Sequence, residues 1–259
     1  MTLPAEDSAA CLVEVGPFRV VDSSKSDLIR NVVAGALMRR RYPLQLFALH
    51  VGGLNSRHDR DFVTAMHQAD VVYADGGSVV LLARLAGARQ VERSPTTDVG
   101  WDILQALGAE LGRPPRVALL GGEPHLADRA AAVLSAGGAA DIVFTGHGYH
   151  DDWTPVLAAL RDAVPDVTVV GLGAPREMIW VQNHLEELPG SLVMTCGGWF
   201  GHLTGAERRA PRLLRRSGLE WLARLAQAPR RLAPRYARGL GSTVILMVLA
   251  VLRRARQAV

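Results

Sequence analysis

Short apolar, β-rich runs alternate with helical segments along most of the chain, and this alternation restricts the fold more than any other feature. Residues 17–22 (PFRVVD), 44–50 (LQLFALH), 70–74 (DVVYA), 116–122 (RVALLGG), 140–146 (ADIVFTG), 167–173 (VTVVGLG) and 191–198 (SLVMTCGG) read as strands. Helices are expected between them, from Ser26 to about Arg40 and over 59–69, 77–87, 97–112, 124–137, 151–163 and 175–188. Phe62, Met66 and Ala69 recur at helical spacing, Gly87 stops one helix and Pro124 opens another. Strands alternating with helices form a parallel sheet covered on both faces. Right-handed crossovers then bring the C-terminal end of every strand to one edge, where open sheets of this kind bind ligands.

Glycines gather at five of those strand ends: Asp75-Gly76-Gly77, Gly121-Gly122, Gly146 to Tyr149, Gly171 to Arg176, and Gly197-Gly198. A strand end without a side chain lets a ligand approach the backbone, and the helix start beyond it offers N–H groups to phosphate. Neither GxGxxG nor GxxxxGK[ST] is present, and GLGAPR is only a partial likeness to the first. A dinucleotide-dependent oxidoreductase is disfavoured accordingly. No Asp-x-Asp pair occupies a strand end. HDRD falls at a helix start and HDDW in a loop, so no metal and no cofactor is expected. Cys11 and Cys196 form no metal-spaced motif and read as reduced, packed thiols.

The charge is unevenly placed. From Gly205 onward there are thirteen arginines and two glutamates, an excess of eleven positive charges in a chain whose net charge is +4. The preceding residues therefore carry a net charge of −7. This divides the chain into an acidic α/β body, residues 1–204, and a basic helical appendage broken by prolines, residues 205–259. Such an appendage meets anionic partners. It has few aromatics for base stacking, which argues against nucleic acid. Its apolar run TVILMVLAVL is too short to cross a bilayer, which needs about 20 residues, but suits an amphipathic element in the interface, with arginines at head groups. The N-terminal segment lacks a basic-then-apolar signal pattern, so a cytoplasmic location is expected.

Asp75 poses a chemical question. A carboxylate at the end of a buried strand is either a helix N-cap or a group placed for proton transfer at the ligand edge.

The stretches YADGGSVV, TTDVGWDIL, VALLGGEP, GLGAPREMIW, CGGWFGHLTGAERRAPRLLRRSGLEWLARL and PRRLAPRY together resemble the WecG/TagA/CpsF family of bacterial glycosyltransferases over roughly residues 45–238. The resemblance implies a Rossmann-like α/β core with a membrane-docking C-terminal appendage. It implies inverting transfer of a sugar from a UDP-sugar to a polyprenyl-diphosphate-linked sugar, at the cytoplasmic face of the plasma membrane, in capsule, exopolysaccharide or teichoic-acid-like assembly. Asp75 matches the proposed catalytic base. Thr97 and Asp98 match a small-residue–Asp pair, Gly121 and Gly122 a glycine turn, and Tyr149 the aromatic of a GY motif. Gly173, Pro175, Arg176 and Glu177 fall on a G.P.QE loop, and Gly197 and Gly198 open the GG.FD stretch; these with the preceding residues form the implied UDP-sugar site. An arginine such as Arg176 suits a diphosphate because its fork meets two oxygens. The appendage arginines Arg208, Arg209, Arg212, Arg215, Arg216, Arg224, Arg231 and Arg235 are the implied contacts to the acceptor diphosphate or anionic lipid.

The sequence departs from the pattern in three places. The usual Thr-x-Asn after the second strand is replaced by FALHVGGLNS, with His50 and Asn55 as candidate substitutes. Glu177-Met178 stand for Gln-Glu, and Gly201 stands for an aspartate. These point to a distinct subfamily with a different donor or acceptor. The competing reading is a membrane-recruited adaptor that binds a nucleotide sugar with little or no turnover. Homo-oligomerisation is compatible with either.

Overall fold

A computed structural model describes residues 11–205, 225 and 229–257. Its centre is a six-stranded, wholly parallel sheet in the order β4-β3-β8-β7-β5-β6. The strands are β3 (Leu44–Leu49), β4 (Val71–Ala74), β5 (Arg116–Gly121), β6 (Asp141–Gly146), β7 (Val167–Gly171) and β8 (Leu192–Thr195). Strand residues alternate between two cores. Phe47, Leu49, Val72, Ala118, Leu120 and Val193 face one; Leu46, Tyr73, Val117, Leu119, Leu192 and Met194 face the other. Nearly every position of β3, β5, β7 and β8 is therefore apolar, as two-sided burial demands.

Helices α3 (Arg60–Gln68), α4 (Gly77–Leu85), α7 (Thr154–Ala163) and α8 (Arg176–His184) cover the first face. Helices α1 (Lys25–Leu37), α5 (Thr96–Leu111), α6 (Leu126–Ala136) and α9 (Trp199–Leu203) cover the second. The short α2 (Val51–Asn55) follows β3 directly. The expected helices and the parallel sheet are all present, with ends moved by a few residues. The helix expected over 175–188 finishes as a 3-10 turn at Leu185–Glu187.

One strand is placed differently from expectation. The run at 17–22 does not join the main sheet. As β2 (Phe18–Val21) it pairs antiparallel with β1 (Leu12–Val15), a strand the sequence reading omitted, around the turn at Gly16 and Pro17. A tight turn permits only antiparallel pairing, whereas a parallel neighbour needs a crossover. The hairpin's Val15, Phe18 and Val20 pack into the first core. Cys196 is buried as expected, but Cys11 is exposed because it lies before β1 and outside either core.

The topology sets where a ligand fits. β7 sends its crossover to β8, on one side, through α8 on the first face. β5 sends its crossover to β6, on the other side, through α6 on the second face. The chain thus diverges above the C-terminal ends of β5 and β7, which is where open α/β sheets leave a ligand crevice.

At the C-terminus, α10 (Pro229–Gln257) is one continuous helix, correcting the expectation of a break at Pro234. Pro234 lies in the second turn, where its missing N–H forfeits one hydrogen bond. The helix rests on α2 and α4. Gly239 makes this possible, because a Cβ there would lie 2.2 Å from Val51 Cγ2. Ser242 donates to Asn55 Oδ1 at 3.1 Å and accepts from Arg57 Nη1 at 2.7 Å. Leu246 closes over Gly16 of the hairpin. The opposite face carries Leu240, Val244, Val248, Val251 and Leu252, all exposed. Among the described residues, no helix is long and apolar enough to cross a membrane.

Gly121 is the tightest point of the sheet edge. Its φ is +141°, and a Cβ there would lie 2.3 Å from Gly171 O. Gly121→Ala should cost on the order of 3 kcal/mol, combining backbone strain with overpacking. Urea unfolding monitored by circular dichroism measures it, and a loss under ~0.5 kcal/mol would contradict this packing.

Candidate active site

The crevice between β5 and β7 is built from backbone. Gly122 N donates to Gly171 O at 3.0 Å, and Gly148 N donates to Gly122 O at 2.8 Å. Arg176, at the start of α8, donates through Nη2 to Gly148 O at 3.3 Å. The turns after β5, β6 and β7 are thus tied into one surface. These N–H groups, which sequence reasoning had aimed at phosphate, hydrogen-bond within the protein. Tyr149 stands on the rim, 61% exposed. Helix α8 begins at Pro175 without a side-chain cap.

Glu177 occupies the middle of the strand-end surface. It is buried, although one residue from the exposed Arg176. Its Oε2 accepts from Gly173 N at 3.0 Å and from Gly197 N at 3.2 Å, so one carboxyl joins the turns after β7 and β8. Its Oε1 is buried with no hydrogen-bond partner. Burial pushes this carboxyl up to about 7, opposed by the backbone N–H groups of Gly173 and Gly197 and assisted by the negative charge of Asp75. The family resemblance implied a place for Glu177 in the UDP-sugar site. It did not reveal that the side chain itself takes up the two glycine amides.

Asp75 lies at the end of β4. Its N–H donates to Leu49 O at 3.0 Å, continuing the strand ladder one residue past Ala74. The N-cap position of α4 is Gly76, without a side-chain cap. Asp75 is thus not itself the N-cap residue, and it lies half-buried at the strand end.

Three neighbours surround it. His50 ends β3 beside Asp75, and a Cβ on Gly76 would be 3.6 Å from His50 Cα. His50 Nδ1 accepts from Gly52 N at 2.9 Å as the N-cap of α2. A neutral ring with Nδ1 so used carries its proton on Nε2. Asn55, the other candidate substitute for Thr-x-Asn, binds Ser242 of α10 instead. The second neighbour is the start of α5. Tyr73 Oη lies 2.7 Å from Thr96 Oγ1, both buried, which brings Thr97 and Asp98 to the end of β4. The third is Arg93, half-buried, which sequence reasoning did not single out. Ser94 N donates to Ala74 O at 2.9 Å, so Arg93 lies alongside Asp75. Its signal was a basic residue shortly before a helix start, which is too common a pattern to notice.

The family model described as the glycosyl transferase WecG/TagA/CpsF family matches residues 13–257. The chain belongs to this family. Membership in the WecG/TagA/CpsF family gives the chemistry class, glycosyl transfer between a sugar donor and an acceptor.

Within that chemistry the strand-end surface has two parts. The β5–β7 crevice lies between three and four strand spacings from β4, about 14–19 Å, so an extended ligand is needed to touch both. Arg176 lies at one end of this path, Arg93 and Asp75 at the other, and Glu177 beneath the middle. Among the described residues, no group of three His, Cys, Asp or Glu side chains is arranged to hold a metal ion. The acids of the two candidate motifs cap helices: Asp59 accepts from Asp61 N and Phe62 N, and Asp152 from Thr154 N. Arg208, Arg209, Arg212, Arg215, Arg216 and Arg224 lie outside the described residues, and Arg231 and Arg235 fall on α10.

A carboxyl whose folded-state pKa is raised costs stability above that pKa, and the cost fades as pH falls towards the unfolded value. Glu177→Gln keeps an oxygen for both amides and removes the charge. It should stabilise the protein by about 2–3 kcal/mol near pH 8, the gain shrinking below pH 7 and vanishing by about pH 4.5. Denaturant unfolding across this pH series checks it; a gain independent of pH would show that burial does not shift the carboxyl.

Proposed function

We propose that the protein is an inverting glycosyltransferase that moves a sugar from a UDP-sugar to a polyprenyl-diphosphate-linked sugar in cell-surface polysaccharide assembly. The observation that carries this reading is the place of Asp75. Its carboxyl stands at the end of β4 on the ligand edge, beside Arg93 and the start of α5, and one ligand length from the β5–β7 crevice.

In this reading the nucleotide lies over the turns of β5, β6 and β7, with Tyr149 on the rim. The diphosphate runs towards β4 between Arg176 and Arg93. Asp75 takes the proton of the acceptor hydroxyl. That oxygen bonds to the anomeric carbon from the face opposite the diphosphate, and the bond from the carbon to the diphosphate oxygen breaks. UDP departs with the bonding electron pair. Arginine forks and the N-terminus of α5 favour the charge that develops on it.

The same reading accounts for α10. Its outward residues Leu240, Val244, Val248, Val251 and Leu252 form an apolar strip, and arginines lie at both ends of the helix in the sequence. That combination suits the interface of an anionic membrane, with the apolar strip below the head groups. Helices α2 and α4, on which α10 rests, both begin at the Asp75 end of the site. A membrane-held α10 would therefore keep the base close to a lipid-linked acceptor.

The test is UDP release with a panel of UDP-sugars and polyprenyl-diphosphate-sugar acceptors in anionic vesicles. Asp75→Asn should lower acceptor-dependent release by about 10²–10⁴-fold, as loss of a general base does, with little change in melting temperature. Equal rates in parent and variant would remove Asp75 from the chemistry. Nucleotide-sugar binding without turnover on any acceptor would favour the adaptor reading.

A further inference from the structure

Glu177 is used neither as a base nor as a direct ligand contact in the mechanism above, yet it is the most deeply buried ionisable group on the ligand edge. The amides of Gly173 and Gly197 are donors at two successive turns of that edge. Amides of this kind bind anions in other α/β sites. Here the anion is part of the chain. One carboxyl oxygen bridges both turns, and the other is buried with no hydrogen-bond partner among the described residues.

The groups around Glu177 do not neutralise it. Asp75, from the end of β4, adds a like charge. Tyr73 of β4 and Cys196 after β8 are buried groups whose own ionisation burial suppresses, so both stay neutral. Arg176, on the same helix, is exposed and turned to Gly148 O. Among the described residues, a carboxylate in these surroundings is favoured by backbone N–H groups alone, those of Gly173 and Gly197 and, least, that of Leu172. Bringing a second anion over the same turns makes the ionised form more costly, since like charges in a shared low-dielectric site disfavour joint ionisation.

We propose that Glu177 is a positioning residue that holds the β7–α8 and β8–α9 turns together as an internal anion, and that it takes up a proton whenever an anionic diphosphate ligand lies across them. The inference rests on the reading of the crevice as a nucleoside-diphosphate site. Binding and proton uptake are then linked. Affinity for a diphosphate is full where Glu177 is already protonated and falls as pH rises above neutrality. Because Glu177 enters the free protein near its midpoint, the dependence falls within the ordinary working range of an enzyme. The bridging role is independent of the charge, since a protonated carboxyl or an amide still accepts from both N–H groups through its carbonyl oxygen.

The experiment measures Kd by titration calorimetry for UDP and, separately, for inorganic pyrophosphate, at pH 6, 7, 8 and 9, on the full-length parent and on Glu177→Gln. The ligand's own titration is common to both proteins, so the ratio of their Kd values isolates Glu177. The parent should bind about as well as the variant at pH 6 and roughly tenfold more weakly at pH 8, the ratio widening at pH 9. Repeating the parent titration at pH 8 in buffers of different ionisation enthalpy should show close to one proton taken up per ligand, a measurement that stands even if the variant fails to fold. Glu177→Ala, which keeps neither acceptor, should weaken binding at every pH. A Kd ratio flat with pH, or no proton uptake, overturns the linkage. Binding of pyrophosphate with the predicted ratio, but none of UDP, upholds the proposal and defeats the nucleotide reading. Binding of neither overturns both.

Discussion

A parallel sheet buried on both faces exposes little backbone beyond its two rows of strand ends, and every crossover must leave from one row and return to the other. That constraint places the turns after β3 to β8 side by side on a single edge. The faces hold apolar side chains and cannot carry chemistry. The edge collects whatever residues follow each strand, and here these are glycines, His50, Asp75 and Glu177. The site follows from the way the core is buried. Where the chain diverges between β5 and β7, the turns approach so closely that Gly121 admits no side chain against Gly171. This contact sets the floor of the crevice.

Charge on that edge is distributed with some economy. Hydrogen bonds between turns consume amides that would otherwise face a ligand, and Glu177 consumes two more. In the proposed reading, recognition of an anionic donor falls to side-chain cations, Arg93 and Arg176, and to the start of α5. Three carboxyls lie near them. Asp75 and Asp98 are half-buried. Glu177 is sealed beneath the turns and bridges two of them. The pairing of one accessible and one buried acid is a familiar way of separating roles between chemically equal groups. At the rim of the site, α10 packs through Gly239, Ser242 and Leu246 and leaves an apolar strip outward.

The fold was legible because its signal is repeated. Each of the six strands is a largely apolar run, five of them end at glycine or within two residues of it, and all six agree on one topology. The hairpin was not legible in full, since LVEV alternates weakly and its pairing depends on the turn at Gly16. The location of Asp75 could be read from the order of strand, acid and glycine. That Gly76 and not Asp75 takes the N-cap position could not, because this is a matter of backbone angles. His50 and Asn55 looked equivalent in sequence. The structure separates them by the ring nitrogen that caps α2 and by the serine of α10 that binds Asn55. Arg93 was missed because its proximity to Asp75 comes from a loop hydrogen bond, Ser94 N to Ala74 O, with no sequence pattern behind it. The resemblance assigned Glu177 to the ligand loop, but its bridge between two turns is a long-range feature that no local pattern encodes.

The central claim is that one ligand spans the edge from the β5–β7 crevice to Asp75. Amide hydrogen exchange with and without a saturating UDP-sugar tests it most directly. The account predicts added protection in the turns following β4 to β8 and in residues 92–98 at the start of α5. The opposite edge, around Pro114 and Pro165, should exchange as before. Protection confined to that opposite edge, or to the β5–β7 turns without residues 75–77 and 92–98, would contradict a single site joining the nucleotide crevice to Asp75.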